Sequence, residues 1–417
     1  MSIELVSFGF ENYKAFQQPW EGEIRPLTLV IGHNNSGKSA LIRFPLQLFA
    51  GLSGEEDAPL VMDTQGVTFG SSLADLIYQK NPHGQIGLKA GFQVKGSQVD
   101  YSWSLQHFAE YNLLIINHYR ASIDGRNIIE AKWEGKDPLE DINKYALHYK
   151  KGEPLLEQFE FKGLQFFFID FLVKHQPLLD ILLSTTLFKK AIIYLGPFRE
   201  QPKRYYHYPS ALVSQVGNRG ERAAALLGHD VLRNKGELLA SVSEWFKNNL
   251  GGWELDLVKH GDIFSLVLVN PNDPSSSINI ADTGTGIAQV LPLVVQRYLK
   301  VEKSHFVGLD IIEQPELHLH PGAHGALADL YIEAANQQSR RFLIETHSEN
   351  FLLRIQRRIA EGTFDHKNVI IYWVDKGTIM PIHIDHRGEL DTWPKGVFAE
   401  DFEEALRIRK AQQGSKA

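Results

Sequence analysis

The chain has no cysteine among its 417 residues. Disulfides, thiolate metal sites and cysteine nucleophiles are therefore excluded. Nor is there an excess of positive charge. Lys and Arg number 43 against 50 Asp and Glu, a net charge of −7. That balance argues against a globally basic coat for nucleic acid, while local basic patches remain open. Long apolar runs are scarce as well. The most apolar stretch, 163–187, is interrupted by Asp170, Lys174, His175 and Asp180, with Pro177 inside it. A membrane span needs about 20 mostly uncharged apolar residues, so this stretch predicts a buried helix pair. The first residues, Met1-Ser-Ile-Glu, carry an early acid and no basic leader region. The expectation is a soluble cytoplasmic protein of roughly two to three domains.

What is present is a pattern of strands alternating with helices. Residues 3–8 predict an edge strand and 27–31 a buried one. A glycine-bearing loop follows, then a helix over 40–52 that Pro45 should kink. Residues 67–103 predict short strands and turns, and 127–154 a polar irregular segment. Further on, 221–250 predicts helix with breaks at Gly228 and Gly236, and 253–258 pairs with 264–269. Helices are predicted over 287–299, 323–337, 350–360 and 400–410, and strands over 305–312 and 341–345, with a hairpin over 369–384. This order implies an α/β core around a mostly parallel sheet.

The chemistry concentrates at strand ends. Gly32-His33-Asn34-Asn35-Ser36-Gly37-Lys38-Ser39 matches G-x-x-x-x-G-K-[ST] in full, between a predicted strand and a predicted helix that opens at Ala40. Glycines at 32 and 37 let backbone wrap phosphate oxygens, and N–H groups at the helix start point at the anion. In such a loop Lys38 reaches the outer phosphates and the Ser39 hydroxyl takes Mg²⁺.

Phosphoryl transfer also needs a carboxylate on the metal side. The apolar strand 305–312 ends in Glu313-Gln314-Pro315-Glu316, and Pro315 places Glu313 and Gln314 at its carboxyl end. Asp310, three residues earlier, is expected to face away. A second glycine motif, Asp282-Thr283-Gly284-Thr285-Gly286, opens a helix, which makes a further anion-binding start. The strand 341–345 runs into Thr346-His347-Ser348, expected beside the acidic strand.

Together these residues resemble the heads of ABC-type ATPases. Ile31 to Ser39, Asp282 to Pro292, Glu313 to Pro321 and Glu345 to Ser348 resemble the OLD-like ATPases, relatives of the SMC and RecF heads. Tyr194 to Arg199, Val216 to Glu221 and Trp393 to Phe398 are also similar to that family, the last to a branch with a short C-terminal domain. The resemblance implies an α/β P-loop ATPase head with a mixed or parallel sheet, an antiparallel β lobe and an inserted helical subdomain. Its expected parts are an N-terminal ATPase lobe (1–104), a mostly helical insertion (105–190), a C-terminal ATPase lobe (191–361) and a hairpin-helix extension (362–417).

The same resemblance implies ATP and Mg²⁺ as cofactors and a head-to-head homodimer. Each nucleotide would be sandwiched between one copy's phosphate loop and the other's 282–289. Glu313 would hold Mg²⁺ directly or through water, and His347 would contact the γ-phosphate. His320 falls where related heads carry an aspartate in the loop that crosses the dimer. The segment between the phosphate loop and the second glycine motif is expected to be too short for a long coiled coil, and no Toprim nuclease domain is expected after His347. An effector activity such as a nuclease or toxin would belong to a partner, in bacterial defence against phage. Related heads place a glutamate where this chain has Gln314. Glutamine orients water but is a poor base, so turnover is expected to be slow or regulated, with Glu316 or His347 compensating. The rival readings are an ATPase acting on DNA ends or gaps and a scaffold that keeps its ATP intact.

Two further patterns stand out. His318, His320 and His324 have spacing that suits a metal, although the dimer loop explains the first two better. Lys203 to Tyr208, the arginines at 354, 357 and 358, and Arg407, Arg409 and Lys410 are candidate DNA contacts.

Overall fold

The computed structural model describes residues 3–149, 155–167, 169–299, 306–337 and 340–393. Labels follow chain order. The central layer is a six-stranded sheet in the order β14 (Ile192–Leu195), β19 (Gly308–Glu313), β20 (Arg340–Glu345), β3 (Leu27–Gly32), β21 (Val369–Asp375) and β22 (Thr378–Ile382). All neighbours are parallel except the β21–β22 hairpin. Its inner strands are almost wholly buried, as continuous apolar runs such as Leu27 to Ile31 require when both faces are covered.

One face of this sheet is covered by α1 (Lys38–Leu52), α3 (Gln176–Ala191) and an eight-stranded antiparallel sheet. That sheet has the order β11 (Leu155–Gln158), β10 (Lys144–His148), β9 (Arg126–Trp133), β8 (Leu113–Ile123), β7 (Ser97–Phe108), β6 (Gln85–Val94), β1 (Ile3–Glu11) and β2 (Trp20–Glu23). The other face carries α4 (Ala223–Arg233), α5 (Glu237–Asn249), α6 (Thr285–Tyr298), α7 (Pro321–Asn336) and α8 (Glu349–Ala360). Against these pack β15 (Tyr206–His207), β16 (Glu254–His260), β17 (Ile263–Asn270) and β18 (Asp273–Asn279). Short pieces complete the chain: β4 (Asp63–Thr64) with β5 (Val67–Thr68), β12 (Phe161–Lys162) with β13 (Gln165–Phe166), and α2 (Ile169–Leu172).

Strand alternation sorts the central sheet into two cores. Val30, Ile311 and Leu343 belong to the α1 side, while Leu29, Ile31, Ile312 and Ile344 belong to the other. Side chains along a strand alternate between faces. Glu313 and Glu345 therefore fall on the α1 side and Asp310 on the opposite one. Asp310 is buried there against Arg340, as expected of a residue facing away from Glu313.

Several boundaries differ from the sequence reading. The 105–190 region is not mostly helical. It is strand through β13, and helix occupies only its last part, α2 and α3. Its strands alternate buried and exposed residues on one long sheet, a period-2 pattern with polar outward positions that reads as irregular at 127–154. For the same reason, the short strands expected over 67–103 include the long strands β6 and β7. β1 is not an edge strand, because β2 covers it on one side and β6 on the other. The expected extension from 362 contains β21, which pairs with β3 inside the central sheet. α1 runs through Pro45 as one buried helix. The expected helix at 400–410, with Arg407, Arg409 and Lys410, lies outside the described residues, as does 394–398 of the tail motif. No helix among the described residues is long and apolar enough to cross a membrane.

Candidate active site at the carboxyl ends of the central strands

The phosphate loop joins β3 to α1, and its shape is set from both sides. A Cβ on Gly32 would lie 2.2 Å from the Val374 carbonyl of β21, and one on Gly37 would lie 2.8 Å from the Phe16 ring. Gly37 also has φ 108° and Asn35 φ 59°, left-handed conformations that bend the loop back toward the helix. His33 packs edge-on to Trp373, with ring centroids 5.0 Å apart, and its Nδ1 lies 3.3 Å from Asp375 Oδ1. β21 thus backs the loop along its length.

Lys38 is buried and folds over its own loop. Its Nζ donates to the carbonyls of Gly32 at 3.0 Å and His33 at 2.6 Å. Burial holds its pKa below the usual lysine value, and the Glu345 carboxylate opposes that shift. Ser36 Oγ is buried without a hydrogen-bond partner. Ser39 and Asn34 are exposed, and Ala40 is half-buried in the first turn of α1. The opening N–H groups of a helix have no acceptor in a preceding turn. A lysine spanning the loop, an orphaned hydroxyl and a free helix start fit an anionic polyphosphate.

Glu313 and Glu345 are direct register partners on neighbouring strands, and Glu345 in turn pairs with Val30 of β3. Glu313 is buried, and both of its oxygens are engaged. Arg43, one turn beyond Ser39 on α1, donates Nε to Oε1 at 2.5 Å and Nη2 to Oε2 at 2.8 Å, and the Tyr194 hydroxyl donates to Oε1 at 2.9 Å. Hydrogen bonding to Glu313 raises the Arg43 pKa, and burial keeps the Tyr194 phenol protonated. Glu345 is buried too, but its Oε2 has no hydrogen-bond partner, and Oε1 lies 3.7 Å from His347 Nε2.

Gln314 sits at φ 45°, with its N–H bonded to the Glu345 carbonyl at 2.8 Å. Glu316 accepts from the His347 N–H at 2.7 Å and so ties the acidic loop to the end of β20. A buried Arg199 locks the same loop from behind. It donates to the carbonyls of Glu313 at 2.9 Å and Gln314 at 3.3 Å, and to the Gln289 side chain of α6 at 3.2 Å. Burial pushes its pKa down to about 10.

The second glycine motif stands apart. Gly284 caps α6, Asp282 pairs with Arg204 at 2.5 Å, and a Cβ on Gly286 would lie 3.1 Å from the His318 carbonyl. α6 packs mainly on α4, α5 and α7 rather than on α1. Lys38, Glu313, Gln314, Glu316 and His347 therefore converge at three adjacent strand ends, whereas Asp282, Gly284 and Gly286 connect to them through Gln289 and Arg199.

The histidine spacing does not gather a metal group. His320 caps α7 through the Gly322 N–H, and His324 reaches Ser348 Oγ and the Leu319 carbonyl. Among the described residues no group of three or more His, Asp or Glu is placed to hold a metal. The arginines of α8 are engaged as well: Arg354 and Arg358 hold Asp329 of α7, and Arg357 holds Glu361. Lys203 pairs with Glu200 at 3.0 Å.

Arg43, Arg199, Glu345 and Asp375 were not singled out as site residues from sequence. Two of them carried a signal: Glu345 immediately precedes Thr346-His347, and Arg199 closes the 194–199 motif. Arg43 and Asp375 lie outside any motif and are placed only by the packing of α1 and β21.

Comparison with known proteins is consistent with this geometry. An AAA ATPase domain model matches residues 236–352, which span the second glycine motif, the acidic strand end and His347. No curated protein matches. A solved Smc head bound to the C-winged helix domain of ScpA is 11% identical, with 92% of this chain and 98% of that chain covered and a TM-score of 0.50. The SMC head domain from Thermotoga maritima is 12% identical, covering 92% and 99%, with a TM-score of 0.42. The first of these likenesses shows the SMC-head fold. The domain match, over 236–352, is to an ATPase domain.

Proposed function

We propose that the chain is an ATP-binding and ATP-hydrolysing head that closes as a homodimer around nucleotide and thereby controls a partner effector. The convergence of the phosphate loop, the Glu313-Gln314 strand end and His347 at the carboxyl ends of β3, β19 and β20 carries this reading. Open α/β sheets bind their ligands there.

In this reading Lys38 leaves the Gly32 and His33 carbonyls for the outer phosphates of ATP. Backbone from His33 to Ala40 cradles the chain of phosphates, and Ser39 faces Mg²⁺ with the acidic strand ends. Mg²⁺, when bound there, would supply charge neutralisation for the phosphate oxygens. Gln314 orients the attacking water, and His347, braced by Glu316, meets the γ-phosphate. Asp282, Gly284 and Gly286 serve the other copy's nucleotide, which their place at the start of a helix packed away from α1 supports. Gln314 makes turnover slow or dependent on a partner.

The controlled partner, a nuclease or toxin in anti-phage defence, rests on the OLD-like resemblance alone. Direct action on DNA loses support from the α8 arginines, each of which already holds a carboxylate. A non-hydrolysing scaffold is the second reading, favoured by Gln314 and by the Arg43 clasp on Glu313. ATP turnover by the purified protein, alone and with linear DNA, and with Lys38→Ala as the blank, tests all three. Turnover that vanishes in the variant supports the ATPase, stimulation by DNA supports direct action on DNA, and bound ATP without turnover supports the scaffold.

A further inference from the structure

β19, α6 and α7 meet on the face of the central sheet opposite the phosphate-loop helix. Asp310 of β19 lies in this junction, where the Arg340 Nε donates to its Oδ1 at 2.8 Å. Beside it is a cavity of about 10 Å³ lined by Gln296 and Arg297 of α6, Asp310, Tyr331 of α7 and apolar side chains around them. That is room for one water.

The polar part of the lining lacks partners. Gln296 is 6% exposed, and among the described residues neither its Oε1 nor its Nε2 has a hydrogen-bond partner. The Tyr331 hydroxyl is buried and unpartnered too. Such an amide has given up its hydration and gained nothing in return, which is unfavourable. A buried water relieves this where it finds about three polar partners. An amide, a hydroxyl and a carboxylate line the same space here. Water accepts from the amide or the hydroxyl and donates to the carboxylate. An ion fits less well. A cation would meet Arg297 and Arg340, whose charges already act on Asp310, and an anion would meet Asp310 itself.

The place of the cavity gives it a use. Gln289 and Gln296 are two turns apart on α6, so they share one face about 10 Å apart. Asp310 and Glu313 are also about 10 Å apart along β19. At the Glu313 end Arg199 bridges helix and strand, from the Gln289 side chain to the Glu313 carbonyl. At the Asp310 end neither the Gln296 amide nor the Tyr331 hydroxyl bonds to the strand directly.

We infer that this cavity is a built water site: one buried water, held by Gln296, Tyr331 and Asp310, joins α6 and α7 to β19 at the Asp310 end, as Arg199 joins α6 to β19 at the Glu313 end. α6, which the second glycine motif opens, is thereby fixed along the acidic strand at two points. The inference does not depend on the nucleotide reading.

The test compares the full wild-type chain with Gln296→Leu, which keeps a similar volume and removes both amide atoms. Water-oxygen magnetic relaxation dispersion counts long-lived internal waters. The count falls by about one in the variant, and the thermal unfolding midpoint falls by about 2–4 °C as Tyr331 and Asp310 lose their bridge. An unchanged water count overturns the inference. So does a midpoint at or above wild type, because removing two unpaired polar atoms from a cavity without water would relieve a penalty. Should Gln296→Leu fail to fold by circular dichroism, two measurements remain. A wild-type crystal structure places a water about 2.7–3.2 Å from the Gln296 amide and the Tyr331 hydroxyl; ordered side chains there with no water between them overturn the site. Tyr331→Phe keeps the ring and removes the hydroxyl. A lower unfolding midpoint in that variant supports the site, and an equal or higher one overturns it.

Discussion

Arg43 and Glu313 form a two-pronged ion pair across α1 and β19, Nε to Oε1 at 2.5 Å and Nη2 to Oε2 at 2.8 Å, with the carboxylate 3% exposed. The pair fastens the phosphate-loop helix to the acidic strand. Removing one partner of a buried pair leaves the other charge uncompensated. Arg43→Met is therefore expected to destabilise the fold by roughly 3 kcal/mol, the lower end for such pairs because Arg43 keeps some solvent contact. Denaturant unfolding with an unchanged slope measures this. A loss below about 0.5 kcal/mol would place the pair with ordinary surface bridges.

Lys38→Ala should abolish nucleotide binding, since the only buried cation of the loop is removed from the place where phosphates lie. Titration with a fluorescent ATP analogue reads this directly. Unchanged affinity refutes the site.

Gln314→Glu should raise ATP turnover, by up to about a hundredfold if a base is what the site lacks. The backbone at 314 is held by the Glu345 carbonyl and by Arg199, so the new carboxylate would occupy the position of the glutamine. Steady-state phosphate release checks it. A fall in turnover would show that the glutamine amide itself is required.

Arg199→Ala should cost stability and turnover together. The Glu313 carbonyl and the Gln289 amide oxygen lose this donor, at about 1–3 kcal/mol for each group left unsatisfied and buried, while the Gln314 carbonyl keeps the Leu317 N–H at 3.1 Å. Because Arg199 ties α6 to the acidic loop, turnover should fall more than ATP affinity does. Equal losses in both would reduce Arg199 to a structural brace.

Gly32→Ala tests the role of β21. Its new methyl would collide with the Val374 carbonyl at 2.2 Å, so either β21 or the loop must shift. We expect weaker ATP binding and a lower unfolding midpoint. Wild-type values for both would mean that the loop does not depend on β21.

Local physics was enough to read the phosphate loop, the acidic strand end and the strand-end histidine from the chain, because each is a run of neighbours. A strand that stops at Pro315 puts Glu313 at a sheet end, and a glycine-lysine-serine turn needs nothing distant to be recognised. The parallel α/β core was legible for the same reason, in uniformly apolar strands such as Leu27 to Ile31. Long-range pairing was not. β1 joins the large sheet through β6, which lies about 80 residues further along the chain, and within the meander from 85 to 158, whose partners are neighbours in sequence, polar outward positions masked the alternation of strands such as β9. β21 reads from sequence as part of a C-terminal extension because only its register with β3 shows that it belongs to the central sheet. The pairing of Arg43 with Glu313, 270 residues apart, and the unpartnered oxygen of Glu345 likewise emerge only when α1, β19 and β20 are packed together. Sequence spacing governs which groups lie on one strand or helix. Which of two buried carboxylates keeps an acceptor free depends on what the neighbouring elements bring against it.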